Sequence, residues 1–179
     1  MTDVWTVGHS NRSLEEFLDL LDAHRIRMLV DVRTVPRSRH NRQFNLDSLP
    51  GALGSRGIGH RHAPELGGLR KPRPDSPNAG WSNESFRGYA DYLQTDGFEH
   101  ALDAFVGLAA DERTACMCAE AVPWRCHRSL IADALVVRGR GVFHIMSTTK
   151  AAPHELNPMA VVQGGRITYP GPEQLTLER

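Results

Sequence analysis

The chain has 179 residues, a formal net charge of zero and 40% hydrophobic residues, which are ordinary values for one globular domain. It has no apolar run of the roughly 18 residues that a membrane-spanning helix needs, no secretory signal pattern at its start, and only three cysteines. These features argue against a membrane partner and against a secreted disulfide framework, so we expect a cytoplasmic protein.

The first half of the chain alternates short apolar strands with amphipathic helices. We predict strands over residues 4–7, 28–32 and 58–62. Ser13 and Glu16 have the spacing of a capping box, and the apolar residues that follow recur with the helical period to about residue 24. A shorter helix is predicted near residues 46–55, followed after the third strand by a loop or lid over the Gly- and Pro-rich residues 66–83.

The second half continues the alternation. Ser85 is predicted to cap a helix, and further helices are predicted from residue 98 and over residues 126–138. Two more strands are predicted over residues 114–118 and 142–146, and Gly164-Gly165 favours the turn of a hairpin.

Strands that alternate with helices indicate βαβ units. We therefore predict an α/β fold with a mainly parallel five-stranded sheet flanked by helices and a short C-terminal β-hairpin. Residues 1–150 are predicted to form the α/β domain, and residues 151–179 a tail with the hairpin that packs on the same domain. His154 of this tail is predicted to fold over the functional site.

Polar and reactive side chains follow the predicted strands at the points where the strands end. His9 and Ser10 follow the first strand, Arg33 follows the second, and Cys118 with Glu120 ends the fourth. Because ligands of parallel α/β sheets bind outside the carboxyl ends of the strands, we predict the functional site at this edge.

The run from Cys116 to Arg128 carries the candidate nucleophiles. Cys116 is predicted to be a core residue, whereas Cys118 lies at the strand end and Cys126 lies near the first turn of the next helix. A helix N-terminus and neighbouring arginines lower the pKa of a thiol, so Cys118 or Cys126 is a candidate nucleophile. The candidate proton-handling residues are His9, Glu120 and His127.

Arginines near two strand ends indicate an anionic small molecule, such as a nucleotide, a phosphate or a carboxylate. The candidate anion-binding residues are Ser10, Asn11, Arg33, Arg37, Arg39, Arg125 and Arg128. Helix N-termini after Asn11 and Trp124 would add backbone N–H donors. The alternative interpretation is that these arginines form surface ion pairs of little energetic weight.

Two other functions stay open. The stretch from Arg33 to Arg73 carries nine basic residues against two acidic ones, a local charge of +7, and suits a nucleic-acid-binding accessory protein. A strand-end cysteine before an arginine-bearing turn also suits rhodanese-like or phosphatase-like thiol chemistry. Six residues separate Cys118 from Arg125, where phosphatase loops use five, and Pro123 and Trp124 are poorly suited to an anion-binding loop.

We predict no cofactor and no metal. Cys116, Cys118, Cys126 and His127 are residue types that bind zinc, but the seven-residue gap between Cys118 and Cys126 is unlike the short ligand spacings of structural zinc sites. The neighbouring arginines would also repel a cation.

The chain resembles the bacterial family catalogued as domain of unknown function 488. The resemblance rests on several segments: Thr6-Val-Gly-His-Ser-Asn-Arg12, Leu29-Val-Asp-Val-Arg33, Pro36-Arg-Ser-Arg39, Leu66-Gly-Gly68, Phe86-Arg-Gly-Tyr-Ala90, Met117-Cys-Ala-Glu120 and Cys126-His-Arg128. It continues through residues 154–157 and 167–170. The resemblance implies where the functional residues lie, but it implies no reaction.

Overall fold

The structure is a computed structural model that describes residues 2–175. The strands are β1 Val4–Gly8, β2 Met28–Asp31, β3 Gly59–His62, β4 Thr114–Cys118, β5 Val142–Ser147, β6 Lys150–Pro153, β7 Val161–Gln163 and β8 Arg166–Thr168. The helices are α1 Leu14–Ala23, α2 Leu49–Ser55, α3 Glu84–Tyr92, α4 Asp96–Asp111, α5 Arg128–Val137 and α6 Pro172–Leu175. Residues 176–179 of the predicted tail lie outside the described residues.

The main sheet has six strands in the order β3-β2-β4-β1-β5-β6, and β7 and β8 form a separate hairpin. β1 to β5 run parallel, while β6 runs antiparallel to β5. The predicted α/β class and the hairpin are confirmed. The sixth strand was not predicted because its residues, Lys-Ala-Ala-Pro, lack the β-branched and aromatic side chains that favour strands.

The start of α1 and the hairpin turn follow local rules. The reciprocal bonds between Ser13 and Glu16 form the predicted capping box. Gly164 and Gly165 both have positive φ angles, as a two-residue hairpin turn of this type requires. The prediction that Ser85 caps α3 is wrong, because the side chain of Asn83 accepts the bonds from the first turn of that helix.

Two hydrophobic layers cover the main sheet. Phe17 and Leu21 of α1 and Leu53 of α2 pack on one face, and α3, α4, α5 and the hairpin cover the other. Because side chains alternate along a strand, Cys116 and Cys118 both belong to the α5 layer, while Met117 faces α1. Cys116 is fully buried, as predicted.

The strand order brings the ends of β1, β4 and β2 together. β4 lies between β1 and β2, and Gly8 at the end of β1 is in register with Cys118. A Cβ atom at Gly8 would lie 1.9 Å from the carbonyl oxygen of Glu120, so only glycine permits this approach. The loop after β4 is therefore held directly against the end of β1.

The segment after β6 is attached to α5 by a buried carboxylate. Asp133 accepts hydrogen bonds from His154 Nε2 at 2.8 Å, the Asn157 backbone N–H at 3.0 Å and the Tyr169 hydroxyl at 2.7 Å. Tyr169 is buried in the same core as α5. Within residues 2–175, no helix is long and apolar enough to cross a membrane.

Candidate active site

A cavity of about 470 Å³ opens at the carboxyl ends of the central strands. Its walls come from the loop after β1, the loop after β3, the start of α3 and the loop between β4 and α5. The lining residues are Ser10, Gly68, Leu69, Ser85, Phe86, Cys118, Ala119, Glu120, Ala121, Arg125, Cys126 and His127. The predicted edge of the sheet thus carries a cavity, and several predicted site residues line it.

Cys118 and Cys126 face each other across the base of this cavity. Cys118 is the last residue of β4, and a 3-10 turn over Pro123–Arg125 returns the chain so that Cys126 lies just before α5. A hydrogen bond from the Cys126 thiol lowers the pKa of Cys118 to about 6, with further support from the backbone N–H of Glu120 and the charge of Arg128. These interactions outweigh burial, which acts in the opposite direction.

Cys126 has the higher pKa of the two thiols. The neighbouring Cys118 sulfur and burial raise the pKa of Cys126 well above its usual value. Its sulfur also accepts the backbone N–H of Arg128 at 3.5 Å, at the beginning of α5. The two thiols are therefore coupled, and the pKa of Cys118 is the lower of the two.

His127 is a neutral imidazole beside the two sulfurs. Burial, with the charge of Arg128, lowers its pKa to about 4. Its Nδ1 lies 3.7 Å from Cys126 Sγ, and its ring packs on Tyr89 with centroids 4.9 Å apart. At neutral pH His127 can accept a proton but has none to donate as an imidazolium.

Arg128 lies beneath the cavity and is only 1% exposed. Its Nη2 donates to the carbonyl oxygens of Glu120 at 3.0 Å and Ala121 at 3.2 Å. Its Nε and Nη1 have no hydrogen-bond partner, and it forms no salt bridge, among the residues that the structure describes. Its charge lowers the pKa of both Cys118 and Cys126 and therefore favours the thiolate form of these two residues.

Arg125, Glu120 and Ser10 line the outer part of the cavity. Arg125 and Glu120 are exposed, and Glu120 Oε1 accepts the backbone N–H of Val122 at 3.2 Å. Ser10 has a φ angle of 54°, a strained left-handed conformation for a residue other than glycine. These three predicted residues lie where a ligand would enter.

His9 and Arg33 lie together but do not line the cavity. Arg33 donates to Asp31 at 2.6 and 2.8 Å, to the Phe44 carbonyl oxygen at 2.6 Å and to His9 Nε2 at 3.1 Å. His9 Nδ1 donates to the Ser10 carbonyl oxygen at 2.7 Å, and burial lowers the pKa of His9 to about 4. Through these hydrogen bonds His9 and Arg33 stabilise the loop that carries Ser10.

Three other predicted anion-binding residues lie outside the cavity. Arg37, Arg39 and Asn11 are exposed. Arg37 lines a separate depression with Asn45 and Asp47. The structure therefore does not bring these residues to Cys118.

Two further arginines of the basic stretch are engaged within the protein, whereas Arg42, Arg61, Lys71 and Arg73 are exposed. Arg56 forms ion pairs with Glu15, Asp19 and Asp22, and Arg70 lies 3.7 Å above the ring of Tyr92. The local charge of +7 in the sequence is therefore not a free basic surface of that size.

The sequence did not identify the wall of the cavity formed by Gly68, Leu69 and Phe86. A Cβ atom at Gly68 would lie 3.1 Å from His127 Nδ1, which explains the glycine. Leu69 is 80% exposed at a φ angle of 61°. Gly67 and Gly68 in the predicted lid were the sequence signal for a close contact. The partner of Gly68 could not be identified from the sequence, because His127 is about sixty residues away in the chain.

His154 lines a second cavity, of about 440 Å³, rather than the Cys118 cavity. Its Nδ1 lies 2.9 Å from His144 Nε2, and His144 Nδ1 lies 2.7 Å from the Thr6 hydroxyl. The prediction that His154 folds over the Cys118 site is wrong, because its bonds to Asp133 and His144 hold it beside β5.

The two sulfurs and His127 are also the residues at this site that can hold a metal. Their ligand atoms all lie within 4.8 Å of one another. The spacing of the cysteines in the sequence disfavoured zinc, but the 3-10 turn over Pro123–Arg125 brings Cys126 close to Cys118.

A family model described as "Domain of unknown function DUF488" matches residues 13–135. No curated protein and no solved structure matches the chain. The matched residues include β4 and the cysteine and histidine residues of the cavity.

Proposed function

The chain belongs to the DUF488 family, whose function is unknown, and on that premise we propose that it is an enzyme that binds an anionic small molecule at the Cys118 cavity and uses Cys118 as its nucleophile. The observation that carries the proposal is the pair of sulfurs of Cys118 and Cys126, which lie within 4.8 Å of each other and line a cavity at the carboxyl ends of the strands.

A thiolate is the reactive form of cysteine, and these surroundings favour it. The Cys126 thiol donates to Cys118, and the guanidinium of Arg128 provides a positive charge with no carboxylate partner among residues 2–175. A buried, unpaired cation is costly, so an anion at Cys118 stabilises Arg128 as much as Arg128 stabilises the anion.

The charges around the cavity favour a substrate with a phosphate or carboxylate group, such as a nucleotide. Arg125 is an exposed guanidinium at the mouth, and guanidinium groups bind such anions with two hydrogen bonds. The N-terminus of α5, behind Cys126, adds a favourable dipole.

The reaction class is transfer of an acyl or phosphoryl group. The Cys118 thiolate forms a bond to the electrophilic carbon or phosphorus, and the leaving group departs with the electrons of its own bond. Water then attacks the covalent intermediate, and neutral His127 accepts the proton while the thiolate is released. His127 lies beside Cys126 and lines the same cavity.

The alternatives have less support. Rhodanese-like sulfur transfer would use the same thiolate, and its product would be a persulfide on Cys118 rather than an acyl or phosphoryl adduct. Nucleic-acid binding through the stretch from Arg33 to Arg73 is weakened by the burial of Arg33 and the ion pairs of Arg56. Three free cysteines suit the reducing cytoplasm, where we place the protein.

Alkylation of the chelator-treated protein with iodoacetamide tests the proposal. We expect Cys118 to be labelled first and, at pH 6.5, about tenfold faster than a simple thiol with a pKa near 8.5. Phosphate or a nucleotide should slow the labelling, and Arg125→Gln should weaken this protection.

Arg39→Gln is the matched control, because Arg39 is exposed and lies outside the cavity. The proposal fails if Cys118 reacts no faster than the simple thiol. The anion part fails if no anion slows the reaction, or if both arginine variants behave alike.

A further inference from the structure

Three side chains that bind soft metal ions converge at the base of the Cys118 cavity. The ligand atoms of Cys118, Cys126 and His127 all lie within 4.8 Å of one another, and Cys126 Sγ is 3.7 Å from His127 Nδ1. In a tetrahedral zinc site, bond lengths of about 2.0–2.3 Å place neighbouring ligand atoms roughly 3.3–3.8 Å apart. The three ligand atoms are thus close to a zinc-binding arrangement.

Backbone N–H groups are directed at both sulfurs. The backbone N–H of Arg128 donates to Cys126 Sγ at 3.5 Å. The backbone N–H groups of Ala119 and Glu120 lower the pKa of Cys118. In each case one donor comes from the residue two positions after the cysteine. Such bonds stabilise the negative charge of a metal-bound thiolate and fix its orientation.

The local charges accommodate a divalent ion. Two thiolates, the guanidinium groups of Arg128 and Arg125, the Glu120 carboxylate and a divalent cation sum to one positive charge. The positive charge of Arg128 repels the ion only weakly, because the negative charge of the nearby thiolates offsets it. The two thiolates therefore offset most of the repulsion between the arginines and the ion.

Cys116 shows that this environment is specific to the other two cysteines. It lies on the same strand and in the same layer as Cys118, but it is fully buried and does not line the cavity. Among the residues that the structure describes, Cys118, Cys126 and His127 form the one group of at least three histidine, cysteine or carboxylate residues with metal-binding geometry.

We propose that Cys118, Cys126 and His127 bind a thiophilic divalent cation of the zinc class, with its fourth coordination position open to the cavity. Three protein ligands and one open position are typical of catalytic rather than structural zinc sites. The metal-bound and metal-free proteins are alternative states, since a metal-bound Cys118 is withheld from alkylation. The proposal shares residues with the proposed nucleophile but does not rest on it.

Cobalt spectroscopy of the full chain tests the metal site. The protein is freed of metal with a chelator and titrated with Co²⁺, and Zn²⁺ is then used to displace the Co²⁺. We expect one ion per chain, a thiolate-to-cobalt charge-transfer band and the visible bands of tetrahedral cobalt. Cys118→Ala, Cys126→Ala and His127→Gln should each weaken Zn²⁺ binding at least about 100-fold.

Cys116→Ala is the matched control and should bind both ions like the unaltered protein. Circular dichroism checks that every variant is folded. The metal proposal is overturned if the charge-transfer band is absent, or if Cys118→Ala and Cys116→Ala bind Zn²⁺ equally well.

Alkylation with and without Zn²⁺ separates the two proposals. If metal-free Cys118 reacts rapidly and Zn²⁺ does not bind, the metal proposal is wrong and the nucleophile proposal stands. If Zn²⁺ binds and metal-free Cys118 reacts no faster than a simple thiol, the nucleophile proposal is wrong and the metal site stands.

Discussion

The Nη2 atom of Arg128 donates to the carbonyl oxygen of Glu120 at 3.0 Å, which places a buried positive charge under the loop that follows Cys118. One residue therefore supports the backbone of the loop and also stabilises the thiolate. The two roles can be separated by measuring reactivity and stability in the same variants.

Replacement of Arg128 should reduce the reactivity of Cys118. In Arg128→Met the pKa of Cys118 should rise from its value of about 6, because the nearby charge is lost. A rise of two pKa units would lower the thiolate fraction at pH 7 about tenfold. The measurement is the iodoacetamide rate against pH in chelator-treated protein.

Arg138→Met is the control for the Arg128 variant. Arg138 caps the other end of α5 and forms exposed ion pairs with Glu99 and Asp103. Its replacement should leave the alkylation profile unchanged. Identical profiles for Arg128→Met and the unaltered protein would contradict the role of Arg128.

Gly8→Ala should strongly destabilise the protein. The added methyl group would lie 1.9 Å from the Glu120 carbonyl oxygen, so β1 and the Cys118 loop must move apart. We expect a loss of about 1–3 kcal/mol or more in urea unfolding, together with altered alkylation of Cys118.

Gly107→Ala is the opposite case. Gly107 lies inside α4, and a Cβ atom there meets nothing within 4 Å. This substitution should raise the free energy of unfolding by about 0.5–1 kcal/mol. Equal effects of the two glycine substitutions would show that the approach of β1 to Glu120 is not the constraint.

Tyr169→Phe should cost about 1.5–3 kcal/mol in urea unfolding. The substitution removes the hydroxyl that donates to Asp133 at 2.7 Å and leaves a buried carboxylate oxygen without that donor. Tyr92→Phe is the matched control, because its hydroxyl donates to a neutral carbonyl oxygen in an exposed setting. If the Tyr169 variant loses no more stability than the Tyr92 variant, Asp133 does not attach the tail as described.

The free energy of unfolding should fall as the pH is lowered from 7 to 5. Burial lowers the pKa of His144 to about 3 from 6.5. Between these values the unfolded chain binds a proton that the folded protein excludes, so this contribution is fully present above pH 6.5 and is lost toward pH 3. Between pH 3 and 6.5, His144 alone changes the free energy of unfolding by about 1.4 kcal/mol per pH unit.

His144→Gln should lose less stability over this range than the unaltered protein, by up to about 2 kcal/mol. Glutamine retains a donor and an acceptor for the neighbours of His144. His40→Gln alters an exposed histidine and should keep the original pH dependence. Parallel curves for His144→Gln and the unaltered protein would exclude His144 as a source of acid sensitivity.

Local sequence patterns were sufficient for much of the fold. The capping box of Ser13, the apolar residues of β1, β2, β4 and β5 and the paired glycines of the hairpin each act through neighbours in the chain. β6 escaped prediction because its pairing with β5, not its own residue types, makes it a strand. Cys116 is buried like every other residue of β4, which is a central strand covered on both faces.

The sequence by itself determined that reactive residues collect where parallel strands end, because strand period and helix starts are local properties. Only the tertiary structure decided which of them share a cavity. Insertion of β4 between β1 and β2 and the turn over Pro123–Arg125 bring Cys126 and His127 to Cys118, whereas Arg33 is drawn into bonds with Asp31 and His9. The physical reason is that such contacts depend on strand order and burial, which no local spacing encodes.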